Sequence, residues 1–189
     1  MKLISIFSLL AVLAPFYGHA AEIDASNSTF TWNATKVTGG HEGNIFTKNG
    51  KIEVKDGQIQ AGKVTMDMTT FTVTDIQGKW ANKLLNHLKS DDFFDVAKFP
   101  EASLEFGKVE NGLVKGRLTI KGKTNPVEFR IKNVDGKYLG TMRFDRTKFD
   151  MIYKSGNFFK DIGDKAIHDE VILSFAVALS KDGKQALRK

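Results

Sequence analysis

Leu84–Pro100, LLNHLKSDDFFDVAKFP, is the stretch that breaks an otherwise strand-like chain. Counted from Trp80, apolar residues recur at Trp80, Leu84, Leu85 and Leu88, which places a stripe along one face of a helix. Asp75 is positioned to cap its start, and Gly78 weakens the first turn. Ser90-Asp91-Asp92 can cap a second short turn carrying Phe93 and Phe94. Pro100 forces Phe99 out of helical geometry and ends the excursion. A lone helix in a β chain has to cover something apolar. The expectation is a lid, Trp80–Phe94, over one end of a barrel.

On either side of this stretch the pattern has period two. Thr29–Val37 puts Phe30, Trp32 and Ala34 on one face and threonines and Asn33 on the other. Ile45-Phe46 resumes extended structure after a glycine-rich turn at 38–43, and Ile52 and Val54 face inward from Lys51–Lys55. Val64, Met66 and Met68 share a face. Beyond the lid, Leu104 and Phe106 do the same, followed by Val114, Leu118 and Ile120, then Val127, Phe129 and Ile131, then Met142 and Phe144. Val171–Leu179 closes the series with five alternating apolar residues. Asn49-Gly50, Asp56-Gly57, Asn111-Gly112 and Asp135-Gly136 read as turns. Short strands joined by such turns make an antiparallel sheet. A sheet with one wet face must bury the other, and about eight strands can close on themselves around a small ligand.

Residues 1–20 read as a signal peptide. Lys2 is the positive start, Leu3–Leu13 an apolar run too short to span a bilayer, and Gly18-His19-Ala20 a small-residue cleavage site. A periplasmic or secreted location is expected, with residues 21–189 forming one barrel. The 189 residues contain no cysteine, which excludes a disulfide scaffold. A formal charge of +6 is spread over single lysines without the basic, aromatic-interleaved patch that nucleic-acid binding requires. Weak attraction to anionic lipid headgroups remains compatible with it.

The inward set is rich in aromatics and methionine: Phe30, Trp32, Phe46, Met66, Met68, Phe106, Phe129, Met142, Phe144, Phe149, Phe158 and Phe159. Such side chains suit a tunnel for a flexible chain, and they suit a filled core equally.

Four segments, taken together, resemble the YceI family of exported bacterial proteins. They are Thr38-Gly39-Gly40-His41-Glu42-Gly43; Leu88–Val96 with Phe99-Pro100; Gly116 through Leu118-Thr119-Ile120-Lys121-Gly122 to Thr124 and Pro126-Val127; and Asp145-Arg146-Thr147-Lys148-Phe149 followed by Gly163-Asp164 and Asp169-Glu170-Val171. Lys123, Asn125 and Asp150 depart from the family's usual apolar, basic and glycine residues. The resemblance implies a lipocalin-like barrel holding a long amphiphile such as a polyisoprenoid or isoprenoid quinone, with no other cofactor. The expected contacts are Trp32, Phe46, Met66, Met68, Phe129, Phe144 and Phe149 from the wall, and Trp80, Leu84, His87, Leu88, Phe93 and Phe94 from the lid. Arg146 is read as meeting either an anionic head or a carboxylate partner, Asp164 or Asp169. Transient membrane contact and a homodimer, frequent in the family, complete the expected partners.

The catalytic alternatives are sparse. There is no cysteine nucleophile and no G-x-S-x-G, and Ile45 stands where H-E-x-x-H needs its second histidine. An acid–base or metal-assisted enzyme would have to use His41 or His168. A filled barrel serving as a structural or partner-binding module is the third reading.

Overall fold

The computed structural model describes residues 19–180, so most of the expected signal segment and the tail 181–189 lie outside the described residues. In chain order the strands are β1 (His19–Glu22), β2 (Thr29–Lys36), β3 (Gly39–Asn44), β4 (Phe46–Lys55) and β5 (Gln58–Asp67). The helix α1 (Gly78–Lys89) follows, then β6 (Glu101–Phe106), β7 (Leu113–Ile120), β8 (Lys123–Val134), β9 (Lys137–Asp145) and β10 (Ile167–Ala178). The strands form one sheet ordered β1-β4-β5-β6-β7-β8-β9-β10-β2-β3, with antiparallel pairing throughout. The fold is all-β and lipocalin-like.

Two bent strands curl this order into a ring. β3 and β4 are separated only by Ile45, whose N–H donates to Phe30 O at 3.1 Å. β1 and β2 likewise flank a one-turn bend at Ala25–Asn27, and Ile23 between them bridges Leu179 just past β10. Each long strand therefore serves different neighbours along its two halves, and ten segments fill about eight positions. At the seam, Ser28 Oγ accepts from Ala178 N–H at 2.9 Å across 150 residues of sequence.

Four hairpin turns carry positive φ at both central residues: Asp56-Gly57, Asn111-Gly112, Lys121-Gly122 and Asp135-Gly136. That is the turn whose twist matches paired strands. Asn49-Gly50 is not a turn. It lies inside β4 at a register shift, where Ile23 packs so closely on Gly50 that any side chain there would overlap it. Asp150 takes φ +65°, which accounts for the glycine usual at that position.

The lid differs from expectation at its start. Gln77, not Asp75, is the cap residue of α1, and Trp80 is 61% exposed. The first turn overhangs the wall, so cover comes from further along: Leu84 and Leu85 half-buried, Leu88, Phe93 and Val96 buried. A tight turn after the helix fixes these last residues. Ser90 Oγ donates to His87 O (2.7 Å), Phe94 N–H to Leu88 O (3.1 Å) and Val96 N–H to Lys89 O (3.0 Å). Lys121 Nζ then ties Asp91 O (2.6 Å) to the β7–β8 hairpin.

Candidate functional site

Two apolar cavities of about 90 and 100 Å3 lie in the barrel interior. The inner one is walled by Phe30, Phe106, Phe129, Tyr138, Phe175 and aliphatic neighbours. The outer one, beneath the lid, is walled by Trp32, Met68, Phe71, Leu88, Phe93, Phe94, Phe144 and Met151. Met66, Ala102, Leu118, Met142 and Leu173 belong to both, so they form a waist between the chambers. All four methionines among the described residues are buried here. For scale, an engineered cavity of about 150 Å3 admits benzene and stays dry without it. The interior is thus neither packed solid nor an open tunnel.

Beside the outer chamber, sharing Trp32, Ala34, Leu88, Phe93 and Ile167 with it, lies a small apolar pocket that also touches Leu84. Next to it opens a mouth of about 460 Å3 bordered by polar and charged residues, Lys36, His41, His87, Tyr153, Lys154, Asp164 and Lys165, although most of the surface they present to it is carbon. His87 stands edge-on to both Phe93 (5.0 Å) and Tyr153 (4.7 Å), and its Nε2 lies 2.8 Å from Asp92 Oδ2.

The glycine-rich segment, expected as a turn, is strand β3 itself, the turn being confined to Val37-Thr38, and its His41 holds one wall of this mouth. Residues 71–75 run as a strap along β3, with Thr72 N–H donating to Asn44 O and Thr74 N–H to Glu42 O, both at 2.9 Å. Trp32 stacks on Phe71 at 4.9 Å and donates through Nε1 to Thr72 O at 3.0 Å. Gly43 permits this, because a Cβ there would overlap the Thr72 carbonyl. Asp75 closes the strap, with Oδ2 2.8 Å from His41 Nδ1 and Oδ1 accepting from Glu42 N–H at 3.1 Å. Burial pushes the Asp75 carboxyl upward, but the Glu42 N–H and His41 together outweigh it and hold it below the usual range.

Arg146 borders the outer chamber yet is committed elsewhere. It is 2% exposed, donates to the carbonyls of His168 (3.1 Å), Ile167 (3.0 Å) and Met151, and lies 3.2 Å from Asp169. Burial lowers its basicity, with Asp169 and Asp145 opposing that. Asp169 Oδ2 also accepts from Ser155 Oγ (2.9 Å) and Asn157 Nδ2 (2.7 Å). Asp169, of the two carboxylates expected, is the partner.

Of the residues singled out from sequence, Trp32, Met66, Met68, Leu88, Phe93, Phe94, Phe129, Phe144 and Arg146 border the chambers, and Leu84 and His87 the mouth. Phe149 is buried behind them, edge-on to Phe144 at 5.6 Å. Phe46 is 49% exposed, because the inward position at the bend belongs to Ile45. Trp80 stands outside the chambers as well. Phe158 and Phe159, expected inward, are 56% and 43% exposed. Sequence reasoning missed Phe71, Tyr153 and Met151; all three sit in irregular segments where alternation gives no signal. Among the described residues no three His, Cys, Asp or Glu side chains cluster as a metal site. His168 pairs with Thr35 Oγ1 at 2.7 Å, apart from His41 and Asp75.

A family model, the YceI-like domain, matches residues 22–179. The chain belongs to the YceI family. No curated protein matches it. Among solved structures, this YceI chain is similar to BcnA of Burkholderia cenocepacia, with 19% identity, 84% of this chain and 99% of that one covered, and a TM-score of 0.64. It is also similar to a polyisoprenoid-binding domain from Saccharophagus degradans implicated in plant cell wall breakdown: 12% identity, 87% and 99% coverage, TM-score 0.59. A mutant YceI protein of Campylobacter jejuni aligns at 19% identity over 71% and 83%, with a TM-score of 0.51. At these identities the likeness concerns the YceI fold, and the chambers above are features of this chain's own side chains.

Proposed function

We propose that this YceI protein is a non-enzymatic carrier, exported to the periplasm or beyond, for a long apolar amphiphile of the polyisoprenoid or isoprenoid-quinone type. One observation carries the reading: two apolar chambers lie side by side in the barrel, divided by a waist containing Met66 and Met142, with a mouth rich in polar residues at the lid end. A hydrocarbon tail belongs in the chambers and a polar head among His87, Tyr153, Lys154 and Lys165. Each isoprene unit contributes about 3–4 kcal/mol gross on burial, so a few units suffice after ordering costs. The chambers are small for such a tail, and the unbranched methionines, with several rotatable bonds each, are the side chains able to move aside. The polyisoprenoid-binding neighbour from Saccharophagus supports the ligand class by fold alone.

Organic extraction of the purified protein, followed by mass spectrometry, tests this directly. A stoichiometric prenyl lipid is the expected result. An empty extract together with no uptake of prenyl alcohols or quinones sinks the reading.

A further inference from the structure

The described residues include six large hydrophobics that are exposed: Val37, Phe46, Trp80, Val134, Phe158 and Phe159. Four of them, all but Phe46 and Val134, sit on the three segments that frame the mouth. Val37 lies between mouth-lining Lys36 and Thr38. Trp80 is one helical turn before mouth-lining Leu84, on the same face of α1. Phe158 and Phe159 follow mouth-lining Tyr153 and Lys154 in the same loop.

The same segments are basic. Residues 36–38, 78–83 and 153–165 carry Lys36, Lys79, Lys83, Lys154, Lys160 and Lys165 against Asp161 and Asp164, while Asp75 and Asp92 nearby are taken up by His41 and His87. Lys79 and Lys83 flank the Trp80 ring at 5.5 and 5.8 Å. An exposed tryptophan between lysines is the arrangement found where a protein meets a bilayer interface.

The phenylalanine loop is also held in place. Phe158 and Phe159 N–H both donate to Ser155 O, at 3.1 and 2.9 Å. Ser155 is fully buried, and it and Asn157 are fixed by Asp169, itself paired with Arg146. An apolar pair on a loose loop would fold back over neighbouring carbon. This network instead presents both rings to the outside.

We propose that the rim of the mouth is a docking face for an anionic phospholipid bilayer, with Trp80, Phe158 and Phe159 entering the interface and the rim lysines meeting phosphate headgroups. Docked this way, the mouth opens onto the acyl region, so its biological sense rests on the carrier reading. Its test does not.

Full-length mature protein is mixed with vesicles of phosphatidylcholine with and without phosphatidylglycerol, and binding is read by flotation. Tryptophan emission reports the contact, since Trp32 is buried and Trp80 exposed. The expected results are binding to phosphatidylglycerol vesicles, a blue shift that Trp80→Phe removes, and weakening as salt rises from about 0.05 to 0.5 M. Phe158→Ser/Phe159→Ser lowers partitioning by at least about tenfold, with an unchanged unfolding midpoint. Val134→Ser, at the opposite end of the barrel, leaves it unaltered. Equal binding by the double variant overturns the proposal. So does a salt-independent interaction, or sedimentation showing that the rim buries itself against a second copy of the chain. Uptake of a prenyl alcohol in vesicle-free buffer is measured in parallel. Loss of uptake with vesicle binding intact condemns the carrier reading alone, and the converse condemns docking alone.

Discussion

Arg146 meets Asp169 at 3.2 Å with the arginine almost wholly out of water, and that pair joins three separate pieces of the barrel's lid end. The arginine reaches the carbonyls of His168 and Ile167 on β10 and of Met151 after β9. The aspartate reaches Ser155 and Asn157. A charge this deep is tolerated because its donors are taken up.

Asp169→Asn leaves the guanidinium without its counter-charge. It should cost about 3 kcal/mol of unfolding free energy, read from urea denaturation. Asp164→Asn, on the exposed side of the same loop, should change it by less than about 0.5 kcal/mol.

Gly43→Ala forces the strap off β3, because the new methyl and the Thr72 carbonyl want the same space. A loss of about 3 kcal/mol follows. Near-ultraviolet circular dichroism should register the disturbed Trp32–Phe71 stack. Gly156→Ala, with open space around it, should be close to neutral.

Asp75 makes stability depend on acid. Its carboxyl is held below its ordinary 3.8, so the folded state binds the proton less readily than the unfolded chain. Its contribution is complete above that ordinary value and is lost as pH falls through the lower folded one. Asp75→Asn should therefore lose about 1–2 kcal/mol at pH 7. The gap between variant and wild type should narrow below about pH 4, as followed by acid titration of the unfolding midpoint.

Ala102 borders both chambers opposite Met66. Ala102→Leu places an isopropyl group in the existing void. Stability should shift by no more than about 1 kcal/mol, while uptake of a long prenyl chain is blocked at the waist. Unchanged uptake in a folded variant would show that the tail does not pass Ala102.

The wall of the barrel was legible because alternation is local. Phe30 and Trp32, Ile52 and Val54, and Met66 and Met68 all turn inward as their spacing predicts, and three Asp-Gly or Asn-Gly pairs form the expected hairpins. Lys121-Gly122 forms the same turn without the usual residue at its first position. Asn49-Gly50 has the usual residues and no turn, because both are paired to β5 and the Gly50 carbonyl accepts from Ile23 N–H, 27 residues earlier. The YceI-like motifs were legible as a pattern before their mechanics were. His41 and Gly43 anchor a strap, and Arg146 clamps a loop. The phenylalanines at 158 and 159 were misplaced because hydrophobicity alone says inward, whereas buried Ser155, three and four residues earlier, holds their turn so that they face outward.

The seam between β2 and β10 has a consequence for biogenesis. Strands near opposite ends of the chain must find each other before the ring can shut, so loop closure is about as costly as this chain allows. Until Val171–Ala178 arrive, everything upstream remains an open curl with an unpaired margin. A polypeptide emerging from a ribosome therefore cannot shut its ring until nearly its last strand is free.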